Sequence, residues 1–262
     1  MRSIRSRQVH LAGIFGMLAL FGAGCGGGGG HNPVGPGPET GYASVAWSIF
    51  NIENNSTLAC ADIGASSVVV TLMNLTTGVS YSQATVSCVT YQMSTAAVPT
   101  GDYTVGFDLY GDPSIYGNST TLLDTFDLAD SNGTTVVFHL LSGLNDLRTY
   151  TAPFVAQYLD VSWNIYFQGA LSSCAAEGAS FVDLEFAIPG SPTWITSSLA
   201  CNPGAGRSYA IPYDSTFARP TSVQWRMYLV DAAGNDITSI PGATVGVPTT
   251  TNVHLAPQNF SL

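Results

Sequence analysis

The chain has 262 residues, of which 45% are hydrophobic, 11% aromatic and only 9% charged. That apolar content excludes a disordered chain and leaves room for one large core or two mid-sized ones. There is no lysine; seven arginines face 17 acids for a net charge of −10, a surface that repels phosphate backbones, so nucleic acid is not an expected partner.

Arg2, Arg5 and Arg7 open the chain, and an apolar run follows from Val9 to Ala23. The run is interrupted by His10 and several glycines and is too short to span a bilayer comfortably, so residues 1–24 read as a signal peptide. Its end, Gly22-Ala23-Gly24-Cys25, resembles the lipobox of bacterial lipoproteins, with Gly22 where that family usually carries Leu. The resemblance implies cleavage before Cys25, lipidation of Cys25 and attachment to a membrane through the acyl chains. At about 0.8 kcal/mol per buried methylene, several such chains hold permanently. The competing reading is a plain secretory signal with Cys25 as a bystander. Residues 25–41 continue as a tether: eight glycines and three prolines between Gly26 and Gly41 cannot bury a periodic face. Its reach as a flexible coil is roughly 20–25 Å. Gly26 stands where many lipoproteins kept in the inner membrane have Asp, so the resemblance implies the outer membrane, on a side it does not specify.

The remainder reads as one unit written twice. Val45-Ala46-Trp47-Ser48-Ile49 matches Val161-Ser162-Trp163-Asn164-Ile165, and the nine residues from Cys60 to Val68 match those from Cys174 to Val182 at six positions. A second cysteine follows in each copy, Cys88 and Cys201, and then an alternating segment, Tyr103 to Leu109 against Val223 to Leu229. Val137-Phe138-His139-Leu140 and Asn252-Val253-His254-Leu255 read as matching closing strands. Residues 42–141 are therefore expected as domain 1, 142–157 as an inter-domain connection and 158–262 as domain 2. The connection contains Leu144, Leu147, Phe154 and Val155, too apolar for a free linker, so the domains are expected to pack at least partly.

Val45, Trp47 and Ile49 alternate with small or polar residues, and Val68, Val70, Leu72 and Val182, Leu184, Phe186 repeat that period of two. Turn residues punctuate the chain at Thr77-Gly78, Gly111-Asp112-Pro113, Asp130-Ser131-Asn132-Gly133 and Ala233-Gly234-Asn235-Asp236. The fold class expected is all-β: two tandem disulfide-bonded β-sandwiches, in architecture similar to immunoglobulin-like or transthyretin-like domains. The tryptophan here precedes the first cysteine, unlike antibody domains, so only the architecture carries over. With Cys25 assigned to lipid, four cysteines remain, two per copy at near-equal spacing. In an exported chain they pair within copies, Cys60 with Cys88 and Cys174 with Cys201. Zinc is not expected, because neither Cys-x-x-Cys spacing nor a nearby histidine accompanies them.

The chemistry of a catalytic site is thin. No Gly-x-Ser-x-Gly elbow and no His-Glu-x-x-His pair occurs, and His139 and His254 read as duplicated strand residues. Asp183 and Glu185 share a strand face and read as solvated acids rather than a glycosidase pair. Asp127, Asp130, Ser131 and Asn132, and likewise Asp231, Asn235 and Asp236, read as turn residues rather than calcium ligands. Trp194, Tyr209 and Tyr213 lie in proline- and glycine-broken segments of the second copy. They either form a binding patch or pack beneath long loops. The expectation is a non-enzymatic, lipid-anchored envelope protein with no cofactor and no metal, contacting an envelope protein or a glycan. Its rivals are an adhesin or carbohydrate-binding module, calcium-dependent or not, and a hydrolase built on Asp183 and Glu185.

Overall fold

The computed structural model describes residues 39–262 except 83–84, 129–133, 146–150 and 203, and these are arranged almost wholly as β-structure. The signal peptide, Cys25 and the tether through residue 38 lie outside the described residues. The first half contains β1 (Thr40–Asn51), β2 (Thr57–Leu58), β3 (Ala65–Asn74), β4 (Ser80–Ser82), β5 (Val86–Ser87), β6 (Gln92–Ser94), β7 (Val98–Pro99) and β8 (Gly101–Gly111). After a short helix, α1 (Pro113–Tyr116), come β9 (Leu122–Asp127), β10 (Phe138–Leu140), β11 (Gly143–Asn145) and β12 (Thr151–Ala156). The second half contains β13 (Leu159–Phe167), β14 (Ala170–Ser172), β15 (Ala179–Ala187), β16 (Ile195–Ala200), β17 (Ala205–Arg207), β18 (Ser222–Asp231), β19 (Asp236–Gly246), β20 (Val253–His254) and β21 (Gln258–Ser261).

The period-two alternation places its apolar residues inside. Val45, Trp47 and Ile49 of β1, Val68, Val70 and Leu72 of β3, and Val182, Leu184 and Phe186 of β15 are all buried. In the first half β1 carries β2, β6 and β7 antiparallel and β11 and β12 parallel. The second sheet runs β10-β8-β3-β4, with β5 on β3 and β9 on β8. Phe107 of this sheet meets Phe154 of the other edge-on, ring centroids 6.4 Å apart. The second half repeats the plan: β13 carries β14 and β17 antiparallel and β20 and β21 parallel, while the other sheet runs β16-β15-β18-β19. Each half is thus a two-sheet sandwich.

Two expectations need correction. Residues 142–157 are not only a connection, because β11 and β12 within them complete the first sandwich alongside β1. Ala152, Phe154 and Ala156 point inward and are buried, which gives this segment a reason to stay on the sheet. Phe154 sits opposite Ile49 as Phe260 sits opposite Ile165, so β12 corresponds to β21. It follows that His139 and His254 are not equivalent. His139 lies on β10, paired with β8, whereas His254 lies on β20, paired with β13. Pairing with the first strand decides the correspondence, and a four-residue likeness does not report it.

Both disulfides are present, Cys60–Cys88 and Cys174–Cys201, with Cα atoms 6.0 and 5.9 Å apart. Each joins two chain crossings between sheets: Cys60 lies between β2 and β3, and Cys88 between β5 and β6. Cys174 and Cys201 occupy the same places, between β14 and β15 and between β16 and β17. The tryptophan of the first strand is tied to this point in both copies. Trp47 Nε1 donates to the Cys88 carbonyl at 3.0 Å, and Trp163 Nε1 to the Cys201 carbonyl at 3.1 Å. The backbone agrees, Ala65 N–H donating to Cys60 O and Ala179 N–H to Cys174 O. Gly64 and Gly178, the shared glycines, take φ of 70° and 68°, a conformation that disfavours a side chain.

Closing a loop with a sequence separation of 28 removes roughly 3.5 kcal/mol of unfolded-state entropy in the chain-entropy model. Cys60→Ala with Cys88→Ala should therefore lower stability by about 3 kcal/mol in denaturant titration. A loss below about 1 kcal/mol would show that the crossing is held without the bond.

Candidate functional site

The three aromatics singled out in the second copy go to two different places. Tyr209 and Tyr213 lie at the junction of the two sandwiches. The segment that carries them follows β17 and runs along the first copy, with Ala210 N–H donating to Ile63 O at 3.1 Å and Tyr213 N–H to Leu122 O at 2.8 Å. Tyr209 packs over Gly64, where an added Cβ would stand 3.1 Å from its ring carbon Cδ1 and equally close to Ile115. Tyr116 of α1 places its buried hydroxyl 2.9 Å from both the Ile63 and the Ala210 carbonyl oxygens. Burial holds this phenol well above its ordinary pKa.

Tyr213 belongs to an ionic cluster on Asp124 of β9. Its hydroxyl donates to Asp124 Oδ1 at 2.8 Å, Arg219 Nη2 donates to the same oxygen at 3.1 Å, and Val155 N–H donates to Oδ2 at 2.6 Å. Arg219 also reaches the Val155 carbonyl at 2.8 Å and lies over the Tyr213 ring. The result is a buried carboxylate of the first copy satisfied by an arginine and a tyrosine of the second. These two tyrosines therefore serve packing between the halves.

Trp194 lies elsewhere, on the outward side of the sheet β16-β15-β18-β19. On this sheet Val182, Leu184 and Phe186 face the core, so Asp183 and Glu185 between them face out. Pairing sets Glu185 between Thr196 and Arg226, and Asp183 between Ser198 and Tyr228. Glu185 Oε2 accepts from Arg226 Nε at 2.5 Å, and Asp183 Oδ1 accepts from the Ser198 hydroxyl at 2.6 Å. The Arg226 guanidinium sits 4.1 Å from the Trp194 ring centroid and 5.5 Å from that of Tyr228. Phe181, 42% exposed, extends the same face. Asp183 and Glu185 are thus parts of a polar, aromatic-framed platform, a grouping the sequence does not reveal, since Arg226 and Tyr228 lie some 40 residues further on in a strand read only for its inward residues.

The platform has a recess at one edge. Between Trp225 and Met227 the pairing with β19 slips, setting Pro241 and Gly242 against the single Arg226, one residue in excess. At Gly242 the backbones approach so closely that a Cβ would stand 2.1 Å from Trp225 O. Beside this bulge a cleft of about 430 Å³ opens, lined by Trp194, Gln224, Arg226 and Thr244 among others. It is open to solvent, and its lining mixes Trp194, Trp225 and Ala243 with the polar Gln224, Arg226 and Thr244.

The acidic turns are accounted for locally where they are described. Asp231 accepts from the N–H groups of Ala233 and Asn235 and from the Asn235 side chain, and these bonds hold its carboxyl below the usual range. Asp130, Ser131 and Asn132 lie outside the described residues. His139 contacts Asp102 at 2.7 Å at an exposed position of β10, and His254 lies between Glu53 and Asp160.

No protein-family model and no curated protein matches the chain. Among solved structures it is similar to a leucine-rich repeat protein of Bacteroides thetaiotaomicron at 11% identity and TM-score 0.25, covering 85% of this chain but 27% of that one. A proposed polysaccharide-binding protein of the same organism aligns at 10% identity and TM-score 0.30, over 76% of this chain and 79% of its own. A proposed adhesin of Bacteroides ovatus aligns at 12% identity and TM-score 0.31, over 77% and 76%. Superpositions this loose transfer neither topology nor ligand.

The junction makes a pH-dependent prediction. Burial holds the Asp124 carboxyl above its ordinary value against the opposing pull of Arg219, Val155 N–H and Tyr213. The native state therefore keeps this proton to higher pH than the unfolded chain does, and Asp124's contribution to stability falls as pH rises from the ordinary Asp value to the raised one. Arg219→Ala removes the compensating cation and should cost about 2–4 kcal/mol at pH 7. The loss should be smaller near pH 3, below the ordinary Asp value, where the carboxyl is protonated in both states; equal losses at the two pH values in denaturant titration would contradict this account.

Proposed function

We propose that the protein is a non-catalytic binding protein of the cell envelope, tethered through Cys25, whose second sandwich presents the Trp194–Arg226–Glu185 platform to a glycan. The observation that carries this reading is the arrangement of that outward face. Trp194 and Tyr228 frame Arg226, and carboxylates and hydroxyls of Asp183, Glu185, Thr196 and Ser198 alternate beside them. A sugar offers apolar C–H faces to aromatic rings and hydroxyls to carboxylates, hydroxyls and guanidinium, and an open face accommodates a chain of residues. Both acids are engaged by neighbours, Glu185 with Arg226 and Asp183 with Ser198, which favours a recognition role over proton transfer. The two disulfides favour an oxidising compartment outside the cytoplasm. Among the described residues no helix is long and apolar enough to cross a membrane.

Two experiments test the parts separately. In calorimetric titration against a panel of soluble bacterial and plant polysaccharides, Trp194→Ala should weaken binding about tenfold, equivalent to about 1.4 kcal/mol, with the fold unchanged. Absence of binding to every polysaccharide by the wild-type chain would count against a glycan and leave a protein partner for the same face. Cys25→Ala should move the protein from the detergent-extracted membrane fraction to the soluble one. Membrane retention of that variant would remove the lipid anchor from the proposal.

A further inference from the structure

Glu53, Asp160 and His254 are far apart in sequence and meet at the junction of the sandwiches, on the side away from the glycan platform's strands. Glu53 follows β1, Asp160 lies on β13 and His254 on β20. One donor atom from each lies within 4.8 Å of the others. Both imidazole nitrogens of His254 face a carboxylate, Nε2 at 2.5 Å from Glu53 Oε1 and Nδ1 at 3.6 Å from Asp160 Oδ2.

A buried amide network fixes this trio. Asn252 donates its N–H to Glu53 Oε1 at 3.0 Å and its side-chain amide to Asn51 Oδ1 at 3.1 Å. Asn51 in turn donates to the Tyr158 hydroxyl and accepts from the Glu53 N–H through its Oδ1 at 2.9 Å. Asn51 and Asn252 are 5% and 1% exposed, so the supports are rigid while the three donors stay accessible to solvent. Such hydrogen-bonded partners behind the donors are what metal sites use to orient their ligands. The mixed set of one imidazole and two carboxylates differs from a mere acidic cluster, and it suits a first-row divalent ion better than calcium or magnesium.

We propose that Glu53, Asp160 and His254 form a zinc site that clamps the two sandwiches together, with water completing the coordination. Donors around a tetrahedral zinc at about 2.0–2.2 Å lie roughly 3.3–3.6 Å apart, so the trio must contract from within 4.8 Å, and His254, whose two nitrogens face different carboxylates, must turn to bring one nitrogen to both. Zinc binds one ring nitrogen of the neutral imidazole, and the single ring N–H then stands on the other nitrogen. The Arg207 guanidinium, which stacks over the Tyr158 ring at 4.7 Å, lies on the strand paired with Asp160 and offsets part of the negative charge, which weakens the attraction for a cation. The link is between halves because Glu53 belongs to the first sandwich and the other two ligands to the second. This inference does not depend on what the platform binds.

The test is calorimetry and thermal unfolding of the purified chain with zinc chloride, with calcium and magnesium chlorides as controls. One zinc per chain should bind, raising Tm by about 5 °C at hundredfold excess over Kd, with reversal by EDTA and no rise with calcium or magnesium. His254→Ala and the near-isosteric Glu53→Gln should each weaken zinc binding at least tenfold, whereas His139→Ala, at the separate Asp102 pair, should leave it unchanged. Absence of saturable zinc binding would overturn the proposal. So would binding of undiminished affinity in Glu53→Gln or His254→Ala, which would place the ion elsewhere. Should His254→Ala fail to fold, Glu53→Gln alone decides.

Discussion

In each half the chain passes repeatedly between two sheets, and at two of those crossings a disulfide with a tryptophan beneath it holds the chain together. Cys60–Cys88 and Cys174–Cys201 join the crossings, and Trp47 and Trp163 donate to the carbonyl of the second cysteine. The rest of each sandwich is built out from there. β1 and β13 carry the tryptophans and sit in the middle of their sheets, and β3 and β15 leave the first cysteine and become the middle of the other sheet. An indole N–H buried without a partner would be costly, so the carbonyl at the crossing fixes both the depth of the ring and the path of the chain.

The two copies share this frame and differ in how they spend their loops. In the first copy Gly64 is overlaid by Tyr209 and Ile115, while Gly178 of the second has open space above it. The first copy gives the junction Asp124, Tyr116 and Glu53; the second gives Arg219, Tyr213 and His254. Duplication therefore supplied two like bodies, and divergence outside the repeated core joined them. The buried Asp124 is stable in that position because Arg219, Tyr213 and Val155 N–H satisfy it together; its burial alone would be unfavourable.

Function in this arrangement separates by surface. The inward positions of the middle strands are apolar in both copies, Val68, Val70 and Leu72 against Val182, Leu184 and Phe186. The outward face of β16-β15-β18-β19 differs, since Asp183 and Glu185 stand where the first copy has Val69 and Thr71. Arg226, Tyr228 and Trp194 gather around them, whereas the corresponding face of the first copy carries Asp108 with Thr125 beside Val69.

The sequence by itself determined the all-β class, the duplication, the two cysteine pairs and the inward residues of the main strands. These depend on local alternation and on spacings short enough to read along the chain. It did not reveal that β12 belongs to the first sandwich, because parallel pairing with β1 joins residues about a hundred positions apart and leaves no turn signature between them. It also matched His139 to His254 on a short likeness that strand pairing does not support. The tertiary structure alone decided that Tyr209 and Tyr213 pack at the junction while Trp194 lies on an open face. It alone placed Glu53, Asp160 and His254 together. Each of these groupings is made by the docking of two sandwiches or the stacking of neighbouring strands, where side chains meet across distances that no periodicity in the sequence records.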